Sequence, residues 1–555
     1  MVRAHRRGAP LFSVASAAPN PQVGHLGDVP PPGAPASPHP EIQIKPSKIN
    51  RSLSIPSKTG EARKRSLIEM TTLIGWDSQD ITPDKPVELI GQYYQRISKS
   101  VRDPLCVTAL VMEQTSASGI EQAVMVSIDI IFINRDFLDE IREALRPLVP
   151  DLNPDTIFLN ATHIHSGPGW TVPFRWWVPA EGAMQPSEIR ALVLGAVVRA
   201  VVNAWKARQP GQIRAASAFA AMGFCRRMLY ADGSAMMYGE TNREDFIGVE
   251  AAHDFEVRLV FTWDDQDRLT GIVLNVACPA QVMEAQHEVS ADVFGELRKR
   301  IHQTYGPQVN LLPQVSAAGC QSPRNLPIQS KDEINYWNDS GMRAIAGRLE
   351  KAVAEGYASA LEHAEINPVL KHTVTELVLP IRRASIEEHE SACSDVKRLT
   401  ARYADIETAS RELFTEFVAD TQATEKRQPH GPFDNKELDF VKLENAQAVI
   451  RRFETQDSKP TYSMELHAIR LGDSAFVTNP FELFLDYGQM IVARSRANQT
   501  FLVQLACDAG QYLPTARAVA AGGYSALIIN GSVGPEGGRM LVDASVQAID
   551  QLWEQ

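Results

Sequence analysis

The chain is poor in cysteine for its length, with six in 555 residues, and no two of them form a CxxC pair or any short regular spacing. They are too sparse for a disulfide framework and lack the spacing of a structural zinc knuckle. A chain of this length can instead bury a large hydrophobic core. The six are Cys106, Cys225, Cys278, Cys320, Cys393 and Cys507.

Long apolar runs are also missing. A transmembrane helix needs about 18 nearly uninterrupted apolar residues. The longest apolar stretch, ALVLGAVVRAVVNAW, is interrupted by Arg199 and predicts a buried helix. We therefore expect no transmembrane segment.

Positive charge is in deficit, because 55 Lys and Arg stand against 67 Asp and Glu, which leaves a formal net charge of −12. A phosphate backbone would be repelled on average, and no basic stripe offsets this repulsion. Nucleic acid is therefore not an expected partner.

Residues 1–65 differ in composition from the rest of the chain. VPPPGAPASPHP is rich in Pro, Ala and Ser, and the residues that follow it are polar and basic. Such a segment buries too little apolar surface to fold by itself, so we predict a disordered leader. Its start, MVRAHRRGAPLF, resembles a weak twin-arginine export signal. Localisation stays open between a soluble cytoplasmic and an exported protein.

From residue 66 onwards the pattern alternates between strands and helices. Segments 106–114, 123–133 and 156–165 are rich in β-branched residues and predict strands. Segments 142–149 and 187–207 have helical periodicity. This alternation predicts an α/β fold with mixed β-sheets and flanking helices over 66–555.

Two further features of the folded part are helical. Residues 385–425 and 435–455 are long, charged and helical in period, which predicts a coiled helical hairpin inserted into the α/β body at about 385–455. The chain ends in MLVDASVQAIDQLWEQ, another predicted helix. We expect no separate domain after it.

The stretch ATHIHSGPGW (161–170) carries two histidines one residue apart. At positions i and i+2 of a strand, His163 and His165 would face the same side about 6.5 Å apart. Gly167, Pro168 and Gly169 then end the strand, and strand ends are common places for active sites. The spacing alone is compatible with a metal site, with a catalytic pair, or with two histidines that merely close a strand.

HIHSGPGW resembles the Thr-His-Thr-His-Ser-Gly-Pro-Gly signature of the neutral, non-lysosomal ceramidases. The likeness continues in the same order over about residues 70–550. The further segments are GWDSQDITP (75–83), SID (127–129), CRRMLYADG (225–233), NVACPAQ with VSADVFG (289–295), GCQSPRN (319–325), VTNPFELFLDYG (477–488), and YLPT with GGYSALIINGSVGPEGG.

This resemblance implies a hydrolase that cleaves the amide of ceramide, or of a related lipid-like N-acyl compound, with one zinc ion. Zinc activates a bound water and polarises the carbonyl group. By position, the zinc ligands would be His163, Glu482 and Tyr524. The residues acting at the reacting amide would be His165, which handles protons, with Ser322 and Arg226 at the carbonyl. The immunoglobulin-like trailing domain of ceramidases is not expected here.

The chain departs from the family at a zinc ligand. The family has a histidine where this chain has Pro279, whose side chain cannot bind a metal. Cys278, Glu284 or His287 could replace it, or the site could hold zinc weakly, another metal or none. His163, Glu482 and Tyr524 would still make three protein ligands. Cys320 also stands where the family commonly has Asp, which affects the role predicted for Ser322.

Two other functions stay open at this point. One is a hydrolase without metal, in which Cys278 or Ser322 is the nucleophile and His165 the base. The other is a binding protein that keeps the pocket and has lost catalysis.

Overall fold

The computed structural model describes residues 71–554, apart from 93, 117–118, 172–177, 330–333, 363–367 and 427–437. The predicted leader, 1–65, lies outside the described residues. Within the described part, no helix has both the length and the apolar content needed to cross a bilayer.

The strands are numbered in chain order. They are β1 (Thr71–Asp80), β2 (Ser100–Val101), β3 (Cys106–Ser116), β4 (Gly119–Ile128), β5 (Ile157–Ala161), β6 (Gln209–Phe219), β7 (Phe224–Cys225), β8 (Arg227–Tyr230), β9 (Ala235–Met237), β10 (Phe246–Val249), β11 (Glu256–Asp264), β12 (Leu269–Val276), β13 (Glu288–Val289), β14 (Asn310–Val315), β15 (Gln321–Ser322), β16 (Leu370–Pro380), β17 (Thr461–Leu471), β18 (Ser474–Thr478), β19 (Phe481–Leu483), β20 (Gln499–Val503) and β21 (Gln511–Leu513).

The helices are numbered in the same way. They are α1 (Arg135–Leu145), α2 (Pro186–Ala207), α3 (Asp292–Tyr305), α4 (Leu326–Gln329), α5 (Asp339–Glu362), α6 (Ile386–Thr400), α7 (Ile406–Lys426), α8 (Asp439–Thr455), α9 (Leu485–Arg494), α10 (Ala516–Ala521) and α11 (Pro535–Glu554). Short 3₁₀ turns cover Pro154–Thr156, Tyr524–Ala526 and Ile528–Asn530.

The largest sheet has eight strands in the order β14-β12-β11-β6-β1-β3-β4-β5. Its two ends are parallel pairs, β12 with β14 and β4 with β5, and its centre is antiparallel. All five residues of β5 are buried, as expected where both faces of a strand are covered. The predicted mixed α/β fold is confirmed.

A second sheet, β16-β17-β18-β20, packs against α11. Two short strand pairs carry part of the candidate site: β19 with β21, and β7 with β15. Glu482 lies on β19, Ser322 on β15, and Arg226 between β7 and β8. The residues predicted to act together therefore come from separate short elements.

The helical insertion is present between β16 and β17, but the prediction of a two-helix hairpin is wrong. Where the structure describes it, on either side of 427–437, the insertion has three helices, since the chain turns at 401–405 between α6 and α7. The three helices bury a small core of their own, which includes Leu399, Phe417 and Phe440. The charged residues on the outer faces of these helices give the sequence its helical period. They do not indicate the turn between α6 and α7.

Helix α2 packs directly on β1 at a glycine. A Cβ atom on Gly75 would lie 1.9 Å from the carbonyl oxygen of Ala204, which is backbone and has no way to rotate aside. Gly195, in the same helix, is different, because its nearest neighbour would be the flexible end of Arg199 at 3.1 Å. The close packing of α2 on β1 therefore requires glycine at position 75, whereas position 195 has room for a methyl group.

We predict that Gly75→Ala destabilises the protein by about 1–3 kcal/mol, because the added methyl group forces the helix away from the sheet. Gly195→Ala should stabilise it by about 0.5–1 kcal/mol, because alanine favours a helix interior. Thermal unfolding midpoints compare the two variants. A Gly75→Ala protein that melts like the parent would contradict the close packing.

Candidate active site

The two histidines lie beyond the end of a strand, so the strand predicted over 156–165 is wrong in its last four residues. β5 stops at Ala161, and His163 has a left-handed φ of 60°. Such a conformation is strained for a residue with a side chain and is commonly kept at functional sites. It brings the Nε2 atoms of His163 and His165 to 3.4 Å, closer than two strand neighbours would be.

The tautomer of His163 follows from its backbone contact. Its Nδ1 lies 2.7 Å from the carbonyl oxygen of Ile131, which can only accept a hydrogen bond. In the neutral ring the Nδ1 atom therefore carries the proton and Nε2 carries a bare lone pair. That lone pair faces the Oε2 atom of Glu482 at 3.6 Å. Two electron-rich atoms thus meet in a buried place.

His165 is oriented by Gln281. The side-chain oxygen of Gln281 accepts from Arg226 at 3.0 Å, so its amide nitrogen donates to Nε2 of His165 at 2.7 Å. The Nδ1 atom then carries the proton and lies 3.6 Å from Oε2 of Glu284. Burial, and then the nearby His163 and cationic groups such as Arg226, hold the pKa of His165 well below its ordinary value. His165 is therefore a neutral ring whose Nε2 is a hydrogen-bond acceptor.

Arg226 joins the segments that form the site. Its guanidinium group is buried and donates to Gln281, to the carbonyl oxygen of Gly319 at 3.1 Å and to the hydroxyl of Tyr512 at 3.2 Å. One of its nitrogens also lies 3.8 Å from Oε2 of Glu482. Among the described residues its Nε atom has no hydrogen-bond partner. One N–H group is therefore left for a ligand.

Tyr512 is the tyrosine that contacts Glu482. The parallel pairing of β19 with β21 sets these two residues opposite each other. Burial raises the pKa of Glu482, but the neighbouring His163, Arg226 and Tyr512 outweigh it and keep the pKa below the ordinary value. The predicted ligand Tyr524 lies further out in the same cluster, with its ring centroid 6.1 Å from that of Tyr512. The sequence pattern did not separate the two tyrosines.

The turn after β12 contains Pro279. Gln281 is the residue of this turn that is hydrogen-bonded to a histidine, His165. The thiol of Cys278 instead donates towards the carbonyl oxygens of Met222 (3.5 Å) and Pro279, and burial raises its pKa. His287 is hydrogen-bonded to a backbone carbonyl elsewhere. Sequence analysis missed Gln281, because an amide matches no metal-ligand pattern.

Glu284 is the one suggested replacement that lies beside a histidine. Its Oε2 faces Nδ1 of His165 and accepts from Gln92 at 3.1 Å, while its Oε1 pairs with Arg324 at 2.6 Å. Glu284 and Arg324 are almost completely buried. Glu284 therefore lies on the far side of His165 and is already neutralised by a cation.

Ser322 is buried next to this ion pair. Its hydroxyl accepts from the Tyr238 hydroxyl at 3.3 Å and from the backbone N–H of Arg324 at 3.2 Å, so its own proton is available to donate. The neighbouring Cys320 accepts from a backbone N–H of the Glu482 segment, at Leu485. The hydrogen bonds described for Ser322, like those of Cys278, go to groups other than His165.

Comparisons with known proteins show the fold. The chain matches neutral ceramidase from Pseudomonas aeruginosa with a TM-score of 0.58 and 16% identity, over 88% of this chain and 75% of that chain. It matches a ceramidase complexed with C2 with a TM-score of 0.60 and 17% identity, over 88% and 76%. No family model matches the chain, and neither does any curated protein. The ceramidase resemblance of the sequence is confirmed in the fold.

The donor atoms of the site suit a zinc ion. Two ligands about 2.0–2.2 Å from a tetrahedral ion lie about 3.3–3.5 Å apart. The 3.6 Å between His163 Nε2 and Glu482 Oε2 is close to this separation, and no proton lies between the two atoms in the neutral tautomer. Tyr512 lies opposite Glu482 in the β19–β21 pair and helps to keep the pKa of this carboxylate below its ordinary value. An imidazole, a carboxylate and a phenol oxygen form a donor set that fits the metal.

We predict that Arg324→Met destabilises the protein by about 3–5 kcal/mol, since it leaves the carboxylate of Glu284 buried without its partner. Adding Glu284→Gln to this variant should restore part of the loss. The exposed pair Arg517–Asp486 provides a control, in which Arg517→Met should change stability by less than about 1 kcal/mol. Thermal unfolding measures all three variants. Equal effects of Arg324→Met and Arg517→Met would contradict the buried pair.

Proposed function

We propose that this protein is a zinc-dependent amide hydrolase that acts on ceramide or a related N-acyl compound. The observation that carries the proposal is the 3.6 Å separation between Nε2 of His163 and the carboxylate of Glu482, two atoms with no proton between them when His163 is neutral and its Nδ1 donates to Ile131. The ceramidase fold supports the substrate class.

The metal would be held by His163, Glu482 and Tyr512. The sequence resemblance predicts Tyr524 as the tyrosine ligand in place of Tyr512. Zinc at this place would supply a water of lowered pKa and would polarise the amide carbonyl. Three protein ligands are the usual number for a catalytic zinc site. No histidine is then needed at Pro279.

The residues of the chain divide the remaining work. His165 is neutral, and its Nε2 becomes a base once water or substrate displaces the Gln281 amide. It would take the proton of the attacking water and pass it to the amide nitrogen as the C–N bond breaks. The products are a free amine and a carboxylate. A donor to the oxyanion is available from the Nε–H of Arg226 or the hydroxyl of Ser322.

A second candidate, a site that works without metal or only binds its ligand, has one observation in its favour. The guanidinium group of Arg226 lies 3.8 Å from Glu482 and can neutralise this carboxylate without an ion. Removal of the metal separates the candidates. A zinc-dependent hydrolase then loses turnover, a hydrolase without metal keeps it, and a binding protein shows no turnover before or after.

We predict that His163→Ala lowers amide hydrolysis by more than about 100-fold, since even outer groups of a metal site cost 10–100-fold. His389→Ala serves as the control, because His389 lies on α6 of the insertion and stacks on Phe453. Turnover of N-acyl substrates is measured before and after chelation and after addition of zinc. Activity that survives both chelation and His163→Ala would refute metal dependence. Binding without turnover by the zinc-loaded parent would favour the binding protein.

We further predict that Tyr512→Phe weakens zinc binding more than Tyr524→Phe does, because Tyr512 is the residue paired opposite Glu482 between β19 and β21. The loss should be about 10–100-fold for Tyr512→Phe. Competition with a chromophoric chelator gives the affinity independently of activity. A larger loss for Tyr524→Phe would make Tyr524 the ligand, as the sequence alone predicted.

A further inference from the structure

A second cluster of metal-binding side chains lies on the second sheet. Glu465 and His467 occupy positions i and i+2 of β17, so they face the same side of the strand, and Cys507 follows β20. The Nε2 atom of His467 is 3.3 Å from Oε2 of Glu465 and 3.7 Å from the sulfur of Cys507. All three donor atoms lie within 4.8 Å of one another.

A chain of hydrogen bonds determines the tautomer of His467. The Nδ1 of His372 donates to the carbonyl oxygen of Gln122 at 3.0 Å, so in the neutral ring its Nε2 is an acceptor. The Nδ1 of His467 must then donate to this Nε2, at 3.1 Å. The Nε2 of a neutral His467 is therefore a bare lone pair, directed at a carboxylate and a sulfur.

The backbone around Cys507 is strained and fixes the position of its sulfur atom. Cys507 has a φ of 65° and Leu505 a φ of 53°, both in the left-handed region that residues with side chains rarely adopt. The N–H of Cys507 donates to the carbonyl oxygen of Leu159 on β5, which fixes this turn. Strain of this kind is typically retained where it serves a site.

Second contacts orient the carboxylate as they do in known metal sites. Arg142 donates to both oxygens of Glu465, at 2.8 and 2.9 Å, and Arg135 lies 2.6 Å away. The histidine likewise has a partner on its other nitrogen. Carboxylate and imidazole ligands that are also hydrogen-bonded to protein groups are typical of protein metal centres.

We propose that Glu465, His467 and Cys507 bind a zinc-class transition-metal ion at a site separate from the His163–Glu482 cluster. Around a tetrahedral zinc ion a nitrogen and a sulfur ligand lie about 3.6 Å apart, and a nitrogen and an oxygen about 3.4 Å. Both values match the cluster. A thiolate with an imidazole favours zinc or a similar metal over magnesium or calcium. Bound there, the ion would join β17 to the turn after β20.

Cobalt provides the test, because Co²⁺ bound to a thiolate gives a near-ultraviolet charge-transfer band and the His163–Glu482 cluster contains no thiolate. The full chain is stripped of metal and titrated with Co²⁺. We expect the band in the parent and in His163→Ala, and its loss in Cys507→Ser. Cys393→Ser is the matched control, since Cys393 also lies beside a histidine, His389 at 3.6 Å, but is exposed.

Elemental analysis gives the second measurement. His163→Ala should retain zinc and lose it when Cys507→Ser is added, while circular dichroism shows whether each variant is folded. If Cys507→Ser fails to fold, Glu465→Gln replaces it, with the charge-transfer band expected to weaken. Absence of the band in the folded parent, or its persistence in folded Cys507→Ser, would overturn the proposal. The cluster would then be a network of hydrogen bonds that binds no metal.

Discussion

The buried guanidinium group of Arg226 is the contact on which the candidate site depends. A cation removed from water must be matched by acceptors on several sides, because an unpaired buried charge costs several kcal/mol. These acceptors come from the turn after β12, from the segment before β15, and from β21 and β19. Elements distant in sequence are thus held together at one point, and the two histidines lie beside it.

Gln281 links the buried cation of the site to one of its two histidines. Its amide accepts from Arg226 and donates to His165, so the cation on one side fixes the tautomer on the other. The lone pair of His165 is thereby directed towards the site, while that of His163 is left facing Glu482.

Sequence reasoning reached the mixed α/β fold, because alternating β-branched segments and helical periods depend mainly on local burial. The ceramidase resemblance predicted one site made of His163, His165, Arg226, Ser322, Glu482 and Tyr524, and this set stays a prediction. Sequence reasoning was wrong about the strand that carries the histidines, since β5 ends where the amide of His163 bonds to Ile130 instead of to a strand neighbour. No local sequence pattern predicts a strand end of this kind.

The sequence by itself determined the hydrophobic pattern, the HSGPG turn and the pairing of Glu465 with His467 on one strand face, because these follow from neighbours along the chain. Only the tertiary structure decided that Tyr512 faces Glu482, that Gln281 reaches His165, and that Cys507 joins the second cluster. Each of these contacts depends on strand register and on where a turn returns the chain. Side-chain direction is a local property, but the meeting of two side chains is set by the packing of whole elements.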